Sequence, residues 1–254
     1  MKQVLQKSIV LILFLIPSFG VIAQKKPDFK QQGFGKSGRD MLKAVIQNKK
    51  GEYVLVGSSA SWFLSNDDDI FFTKIDANTF SPLINAIPIG DKHTDRANGI
   101  VQTRDGGYVI AGYTDSTKLG KREAWLVKVS ETGLPLWDTK VSTPQDDEFT
   151  AITEAPNGDL WMAGASNDRL WVVKTDAQGK NEKKFTTYSP ANVLRSWGNA
   201  LTWCQNGRYL MIVGTQIMQF PPNEPHLLLV RFDTEGGGFF RRNAFCESRR
   251  QRHC

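Results

Sequence analysis

The sequence predicts an all-β fold, a β-propeller of four-stranded blades with about four blades present, in a ring that is either closed or truncated. Three observations predict it. One motif recurs four times along the chain, each copy contains short apolar runs separated by turn residues, and no segment after residue 23 keeps a helical period. Self-similarity of this kind indicates supersecondary units that stack to bury their apolar faces.

The repeat is anchored on a glycine that follows an apolar run and is expected to close the second strand of each copy. The anchors are Gly57, Gly112, Gly164 and Gly214. Their spacing is about 50–55 residues. Repeat periods of this length with several strands per unit are typical of propeller blades rather than of helical repeats.

The second copy shows the elements in order. A short apolar strand at 99–101 precedes a turn at 104–107, and glycines there supply the positive φ angles that hairpins need. The run at 108–111 is apolar throughout, which suits a strand covered on both faces. A third strand at 124–128 and a fourth at 135–137 complete one blade.

The repeat and the two ends divide the chain into seven parts. They are a signal peptide (1–23), an N-terminal segment with a candidate ring-closing strand (24–39), blade 1 (40–94), blade 2 (95–146), blade 3 (147–195), blade 4 (196–245) and an atypical basic tail (246–254). The tail carries no repeat pattern, so it is an interaction tail, a natural disordered end or the product of a truncated or frame-shifted gene.

The N-terminus has the pattern of a secretory signal. Lys2 and Lys7 precede an apolar run at 9–16 that is too short to span a bilayer, and small residues precede Gln24. This predicts an exported protein that is periplasmic, at the cell surface or extracellular. We expect no membrane insertion after signal cleavage.

The net charge of +6 does not indicate nucleic-acid binding. The basic excess lies in the signal and in the last fourteen residues, whereas basic and acidic residues balance in the repeats. A phosphate backbone requires a clustered basic surface. The sequence therefore predicts no nucleic-acid partner.

One polar position recurs just before the first strand of each copy. It is held by Asp40, Asp95 and Asp147, and by Ser196 in copy four. In a propeller this position lies near the mouth of the central channel, where carboxylates could bind a cation or a cationic ligand. The alternative is a turn whose carboxylate accepts backbone N–H groups, and the recurrence in every copy favours it.

Large aromatic residues recur in register within the strands, among them Trp125, Trp161 and Trp171, and they are expected to form the core between blades. Trp62 and Trp197 fall outside these positions and are candidate exposed aromatics for a ligand.

Two further interpretations concern charged residues. The third strands end in basic residues that are expected to lie with their stems packed and their charged ends in water: Lys74, Lys128, Lys174 and Arg231. The acidic run at 66–69 lacks the glycine and closing glutamate of a calcium loop and is expected to be a solvated hairpin tip.

The sequence yields no catalytic residue, metal site or cofactor. His93 and His226 have no serine or aspartate motif around them, and no Gly-x-Ser-x-Gly occurs. Cys246, His253 and Cys254 give too few ligands for a metal.

The repeat resembles those of secreted bacterial β-propeller proteins. Copy two carries the resemblance most clearly, with Asp95, residues 105–108, Gly112, Trp125 with Lys128, and Gly133. The resemblance spans roughly residues 33–240. It implies a propeller and an extracytoplasmic location, and it implies no activity, since this scaffold hosts many functions.

The functional hypothesis is an exported, non-enzymatic binding or scaffold module for a protein or glycan partner. The segments between the second and third strands vary most (58–69, 113–123 and 215–226, with a very short one in copy three), and binding sites lie on such loops. One alternative is an extracytoplasmic carbohydrate-active enzyme, a lyase or hydrolase, with Asp40, Asp95 and Asp147 at the channel mouth. Another is a truncated, non-functional fragment.

Overall fold

The computed structural model of the protein describes residues 31, 33, 38–61, 67–90, 93–115, 120–186, 192–204, 207–219, 223–236 and 238–241. The chain divides into two compact units, residues 1–31 and 32–254, and the strands of the described residues lie in the second. The predicted signal, most of the candidate ring-closing segment, Trp62 and the basic tail lie outside the described residues.

The described part of the chain forms four antiparallel sheets of four strands, each in simple sequence order. Blade 1 contains β1 (Asp40–Gln47), β2 (Tyr53–Ser59), β3 (Asp69–Ile75) and β4 (Pro82–Ile89). Blade 2 contains β5 (Asp95–Gln102), β6 (Tyr108–Thr114), β7 (Glu123–Val129) and β8 (Pro135–Val141). Blade 3 contains β9 (Asp147–Glu154), β10 (Leu160–Ser166), β11 (Arg169–Thr175) and β12 (Lys183–Thr186). Blade 4 contains β13 (Val193–Trp203), β14 (Tyr209–Met218), β15 (Pro225–Asp233) and β16 (Gly238–Arg241).

The fold is a β-propeller of four-stranded blades, as the sequence predicts, and the described residues contain no helix able to span a membrane. Blade 4 differs from the others because β13 starts at Val193, before the boundary predicted at Ser196. The short hairpin of blade 3 is a two-residue turn, with Asn167 at φ 47° and Asp168 at φ 58°. Positive φ at both central residues defines a type I′ turn, which asparagine and aspartate tolerate.

The first strand of each blade contacts the preceding blade, since β5 lies against β1, β2 and β3, and β9 and β13 repeat the arrangement. Three apolar clusters fill the interfaces between blades 1 and 2, 2 and 3, and 3 and 4. The buried rings include Trp125, Trp161 and Trp171. In the second cluster the rings of Trp171 and Phe149 stack with centroids 5.5 Å apart. Among the residues described, no such cluster joins blade 4 to blade 1.

The anchor glycines were expected to close the second strands. The structure places them within those strands instead. Opposite Gly112 the pairing of β5 with β6 shifts register between Ala97 and Gly99, which marks a bulge. A Cβ on Gly112 would overlap the carbonyl oxygen of Arg96. The glycine therefore permits the two backbones to approach at the bulge, and Gly57, Gly164 and Gly214 meet the first strand in the same way.

The expectation that the third-strand lysines hold their charged ends in water is wrong for Lys74 and Lys128, which are buried. Each ammonium pairs with an acid of the first hairpin of its own blade: Lys74 with Glu52 at 2.6 Å and Lys128 with Asp105 at 2.8 Å. In blade 4 the Arg231 guanidinium lies 4.7 Å from the centroid of the Tyr209 ring instead.

Replacing Gly112 with alanine should destabilise the protein by about 3 kcal/mol, because the added methyl group meets backbone that cannot rotate away. Chemical denaturation of Gly112→Ala against wild type measures the loss. Gly236→Ala is the control, since a Cβ there would make only ordinary contacts. Equal stability of the two variants would contradict the close approach.

The ion pair of Asp105 and Lys128 should make stability depend on pH. Burial would raise the pKa of Asp105, but hydrogen bonds from Lys128 and Thr103 lower the pKa from 3.8 to about 2. The unfolded chain thus binds more protons between about pH 4 and 2, and stability falls as the pH drops through this window.

We expect Asp105→Asn to cost about 1 kcal/mol at pH 6, since the Asp105 side chain is 64% exposed and partly screened by solvent. The difference between variant and wild type should shrink towards pH 2, where Asp105 itself becomes protonated. Urea denaturation across pH 2–6 tests this. Glu131→Gln, which removes the exposed partner of Lys50, serves as control. A difference that stays constant with pH would contradict the assignment.

Candidate functional site

The recurring polar position holds each blade to the one before it. Asp95 and Asp147 begin β5 and β9, and Ser196 lies at the same register in β13. Their backbone N–H groups donate to carbonyls just before the third strand of the preceding blade. The bonds are Asp95 to Asp68 (2.6 Å), Asp147 to Arg122 (3.0 Å) and Ser196 to Asp168 (2.9 Å).

The side chains at this position bond within the protein. Asp40, at the start of β1, accepts from the hydroxyls of Ser59 and Ser61, the latter at 2.9 Å. Asp147 accepts from the backbone N–H and the hydroxyl of Thr143, and the Ser196 hydroxyl accepts from the N–H of Leu170 at 3.0 Å.

Asp95 and Asp147 are 1% and 0% exposed, so a ligand in solvent cannot reach their carboxylates without rearrangement. Ligand binding at Asp40, Asp95, Asp147 and Ser196 remains a prediction from the sequence.

The expectation of a solvated hairpin tip at 66–69 is wrong for Asp68 and Asp69, which are buried. The Asp68 carboxylate accepts from Arg39 at 2.9 Å and from Nε of Arg96 at 2.8 Å. This acidic segment thus joins β5 to the segment before β1 rather than presenting charge to solvent.

The residue after the recurring polar position differs in every blade, being Met41, Arg96, Glu148 or Trp197. Successive side chains of a strand point to opposite faces, so this residue points away from its buried neighbour. The structure brings Glu148 and Trp197 together at one cleft, so the predicted aromatic candidate Trp197 does lie at a concave surface, with its side chain half-buried.

This cleft, of about 180 Å³, lies where blades 2, 3 and 4 meet. We call it the blade 3 cleft. Its lining residues are Arg122, Gln145, Asp146, Glu148, Ala165, Asn167, Asp168 and Trp197. Asn167 and Asp168 form the two-residue turn between the second and third strands of blade 3. The cleft is therefore open where this connection is shorter than in the other blades.

Arg122 organises the charges of the blade 3 cleft. Its guanidinium pairs with Glu148 at 2.8 Å and lies 5.2 Å from the centroid of the Tyr113 ring, while its backbone N–H donates to Asp146 at 3.0 Å. On the other side Arg195 pairs with Asp168 at 3.3 Å. The cleft therefore presents positively charged arginines and negatively charged carboxylates beside one indole ring.

A second cleft, of about 510 Å³, lies at the first hairpins of blades 2, 3 and 4. Its polar groups bond one another across blades, since Arg104 donates to the Ala155 carbonyl at 3.0 Å and the Trp203 indole donates to the Glu154 carbonyl at 3.1 Å. Cys204 lies here as a free thiol. These contacts join neighbouring blades, so this cleft is a weaker candidate for ligand binding.

The sequence analysis placed Arg122 within the variable segment 113–123 without singling it out, and it did not select Glu148, Asn167 or Asp168. Two signals could have found them. One is the variable residue beside the recurring polar position, and the other is the shortness of the hairpin in copy three. No cluster of three or more His, Cys, Asp or Glu side chains that could hold a metal ion occurs in the part of the chain described.

Neither the family models nor the curated proteins include a match to this chain. Among solved structures, a protein of unknown function from Dyadobacter fermentans matches with a TM-score of 0.50 and 10% identity, over 73% of this chain and 51% of its own. This chain thus spans about half the length of that protein. The likeness concerns the fold.

Two glycoside hydrolases are similar at a lower level. A GH43 β-1,3-galactosidase has a TM-score of 0.48 and 11% identity, over 78% of this chain and 73% of its own. An endo-1,5-α-L-arabinanase from Thermotoga petrophila has a TM-score of 0.45 and 13% identity, over 78% of this chain and 58% of its own.

We expect Asp147→Ala to lower the free energy of unfolding by about 1–3 kcal/mol, because it leaves the part-buried N–H and hydroxyl of Thr143 without their buried acceptor. Asp147→Asn keeps one acceptor oxygen and should lose less. Thermal and urea denaturation of both variants make the measurement. If Asp147→Ala is instead more stable than wild type, the carboxylate destabilises the fold, and this would indicate that it serves to bind a ligand.

Proposed function

We propose that this chain is an exported, non-enzymatic β-propeller module that binds a glycan in the blade 3 cleft. The observation that carries the proposal is the half-buried Trp197 ring in a cleft whose other side chains are mostly polar. A sugar has a face of C–H groups that packs on an aromatic ring and hydroxyls that need fixed partners. Both requirements are met by Trp197 together with Arg122, Glu148 and Asn167.

The size of the cleft favours a limited contact. At about 180 Å³ it is smaller than the roughly 300–1,000 Å³ of typical small-molecule pockets. It suits one sugar residue, such as a chain end or a branch, while neighbouring residues of the glycan lie on the rim. Export, predicted from the N-terminal pattern and the repeat resemblance, would give such a module access to extracellular polysaccharide.

The arrangement of acids favours binding over catalysis. Glu148 accepts a hydrogen bond from Arg122, and Asp168 forms an exposed ion pair with Arg195. The buried Asp95 and Asp147 have no open path to a glycosidic bond.

A carbohydrate-active enzyme is the second candidate, because three carboxylates, of Asp146, Glu148 and Asp168, line one cleft. Glycoside cleavage requires two carboxyl groups flanking the bond. Release of reducing ends from polysaccharide by wild type, lost in Glu148→Gln, would favour this candidate over a binding module.

The binding proposal predicts that Trp197→Ala weakens retention on glycans by about 5- to 150-fold, since stacking on one ring contributes on the order of 1–3 kcal/mol in comparable stacking sites. An array of neutral and acidic oligosaccharides identifies a ligand for wild type, and calorimetry with that oligosaccharide compares the variants. Trp197→Phe keeps a ring and should retain part of the affinity.

Trp203→Phe, in the second cleft, is the matched control and should bind as wild type does. Absence of any oligosaccharide ligand for wild type, or equal affinity of Trp197→Ala, would refute glycan binding at this cleft. Capture of a protein by the same surface would favour the protein partner named by the sequence hypothesis.

A further inference from the structure

The residue after the anchor glycine is large only in blade 2. It is Tyr113 there, and in the other blades it is Ser58, Ala165 or Thr215. Tyr113 pairs across the strands with Ala124, whereas the matching residue of β3, β11 and β15 is isoleucine or leucine. The small Ala124 leaves room for a large neighbour. The other blades fill this cross-strand pair with an aliphatic side chain, so packing alone does not require an aromatic ring.

Tyr113 lies on the face of blade 2 that contacts blade 3. Alternate residues of a strand share a face, so Tyr113 lies on the same face of β6 as Val109 and Ala111. Those two residues belong to the core between blades 2 and 3. On the neighbouring strand β5, Arg96 is the register partner of Tyr113. The half-buried tyrosine ring therefore lies at the edge of this core, directed towards blade 3.

Two guanidinium groups meet at the Tyr113 side chain. The guanidinium of Arg122 lies 5.2 Å from the centroid of the ring, and the Arg96 side chain donates a hydrogen bond to Tyr113. Each arginine also pairs with an acid of another blade. Arg96 donates to the buried Asp68 of blade 1 at 2.8 Å, and Arg122 pairs with Glu148 of blade 3 at 2.8 Å. Tyr113 thus lies in the middle of a row of polar contacts that extends from blade 1 to the blade 3 cleft.

On the basis of the function proposed above, we propose that Tyr113 is a positioning residue of the blade 3 cleft. Its ring holds the Arg122 guanidinium beside Glu148, and the affinity of the cleft for a glycan depends on this order. The Arg122 side chain is 41% exposed, and a long flexible side chain loses conformational freedom when a ligand fixes it. Ordering one such side chain weakens binding about 2- to 12-fold. A ring that orders the guanidinium in advance avoids this loss, through cation–π attraction.

The order of the Arg122 side chain can be measured without a ligand. NMR spectra of the ¹⁵N-labelled protein, with Arg122 assigned by the resonance that Arg122→Lys loses, should show its Nε–H proton shifted by the nearby ring. Tyr113→Leu removes the ring and should move this resonance towards those of exposed arginines. Tyr113→Phe keeps the ring and should retain the shift. An unchanged resonance in Tyr113→Leu would overturn the proposal.

Calorimetry tests the effect on affinity, with the array oligosaccharide that wild type retains most strongly as the probe. Tyr113→Leu should weaken binding about 2- to 12-fold, because Arg122 must then be ordered during binding. Tyr113→Phe should stay within about twofold of wild type, since the ring face and not the hydroxyl contacts the guanidinium. A loss in Tyr113→Phe as large as that in Tyr113→Leu would contradict positioning by the ring.

Tyr209→Leu is the matched control. The guanidinium of Arg208 lies 5.2 Å from the centroid of the Tyr209 ring, so this variant loses the same kind of contact, and neither residue lines the blade 3 cleft. It should bind the oligosaccharide as wild type does. Circular dichroism and melting temperature check that all variants keep the fold. Equal losses of affinity in Tyr113→Leu and Tyr209→Leu would indicate a general effect on the fold and would overturn the proposal.

A double-mutant cycle separates positioning from a purely structural role. In Arg122→Met the guanidinium is absent, so adding Tyr113→Leu should cost no further affinity. The same loss with and without Arg122 would show that Tyr113 acts on the fold and would overturn the proposal. If wild type retains no oligosaccharide, glycan binding at the cleft is refuted, and the NMR comparison alone decides whether Tyr113 positions Arg122.

Discussion

Burial of one face of blades 1, 2 and 3 by the first strand of the following blade is the contact on which the rest of this structure depends. A four-stranded sheet of this size has two apolar faces and cannot shield them alone. The cores between blades 1 and 2, 2 and 3, and 3 and 4 each combine residues of two sheets, so each of these clusters lies between blades rather than within one.

The recurring residues mostly serve this stacking. The N–H groups of Asp95, Asp147 and Ser196 bond the preceding blade, and the anchor glycine lets the second strand approach the bulge of the first. Because Gly112 has no side chain, it leaves room for the carbonyl oxygen of Arg96, which is the variable residue beside Asp95. The same device in blades 3 and 4 holds Glu148 and Trp197 at the blade 3 cleft. Recurring residues thus position the variable ones.

The blade 3 cleft arises because neighbouring blades differ. A two-residue turn in blade 3 leaves space beside the longer connection of blade 2, and Arg122 from that connection pairs with Glu148 across the blade boundary. Charge of both signs and one indole ring then face the same opening. A scaffold of similar units thereby acquires one distinct site, which is how propellers in general host different functions on one fold.

The sequence by itself determined the propeller, the four-strand blade and the burial of Trp125, Trp161 and Trp171, because periodic apolar runs and turn glycines depend on local residues. It also singled out Trp197. Only the tertiary structure decided where the charges lie. Lys128 meets Asp105, and Arg39 and Arg96 meet Asp68, through pairings that bring distant residues together. Those charges looked solvated in sequence because the recurrence of a lysine in the third strand and of an acid in the first hairpin does not show that folding buries them as a pair.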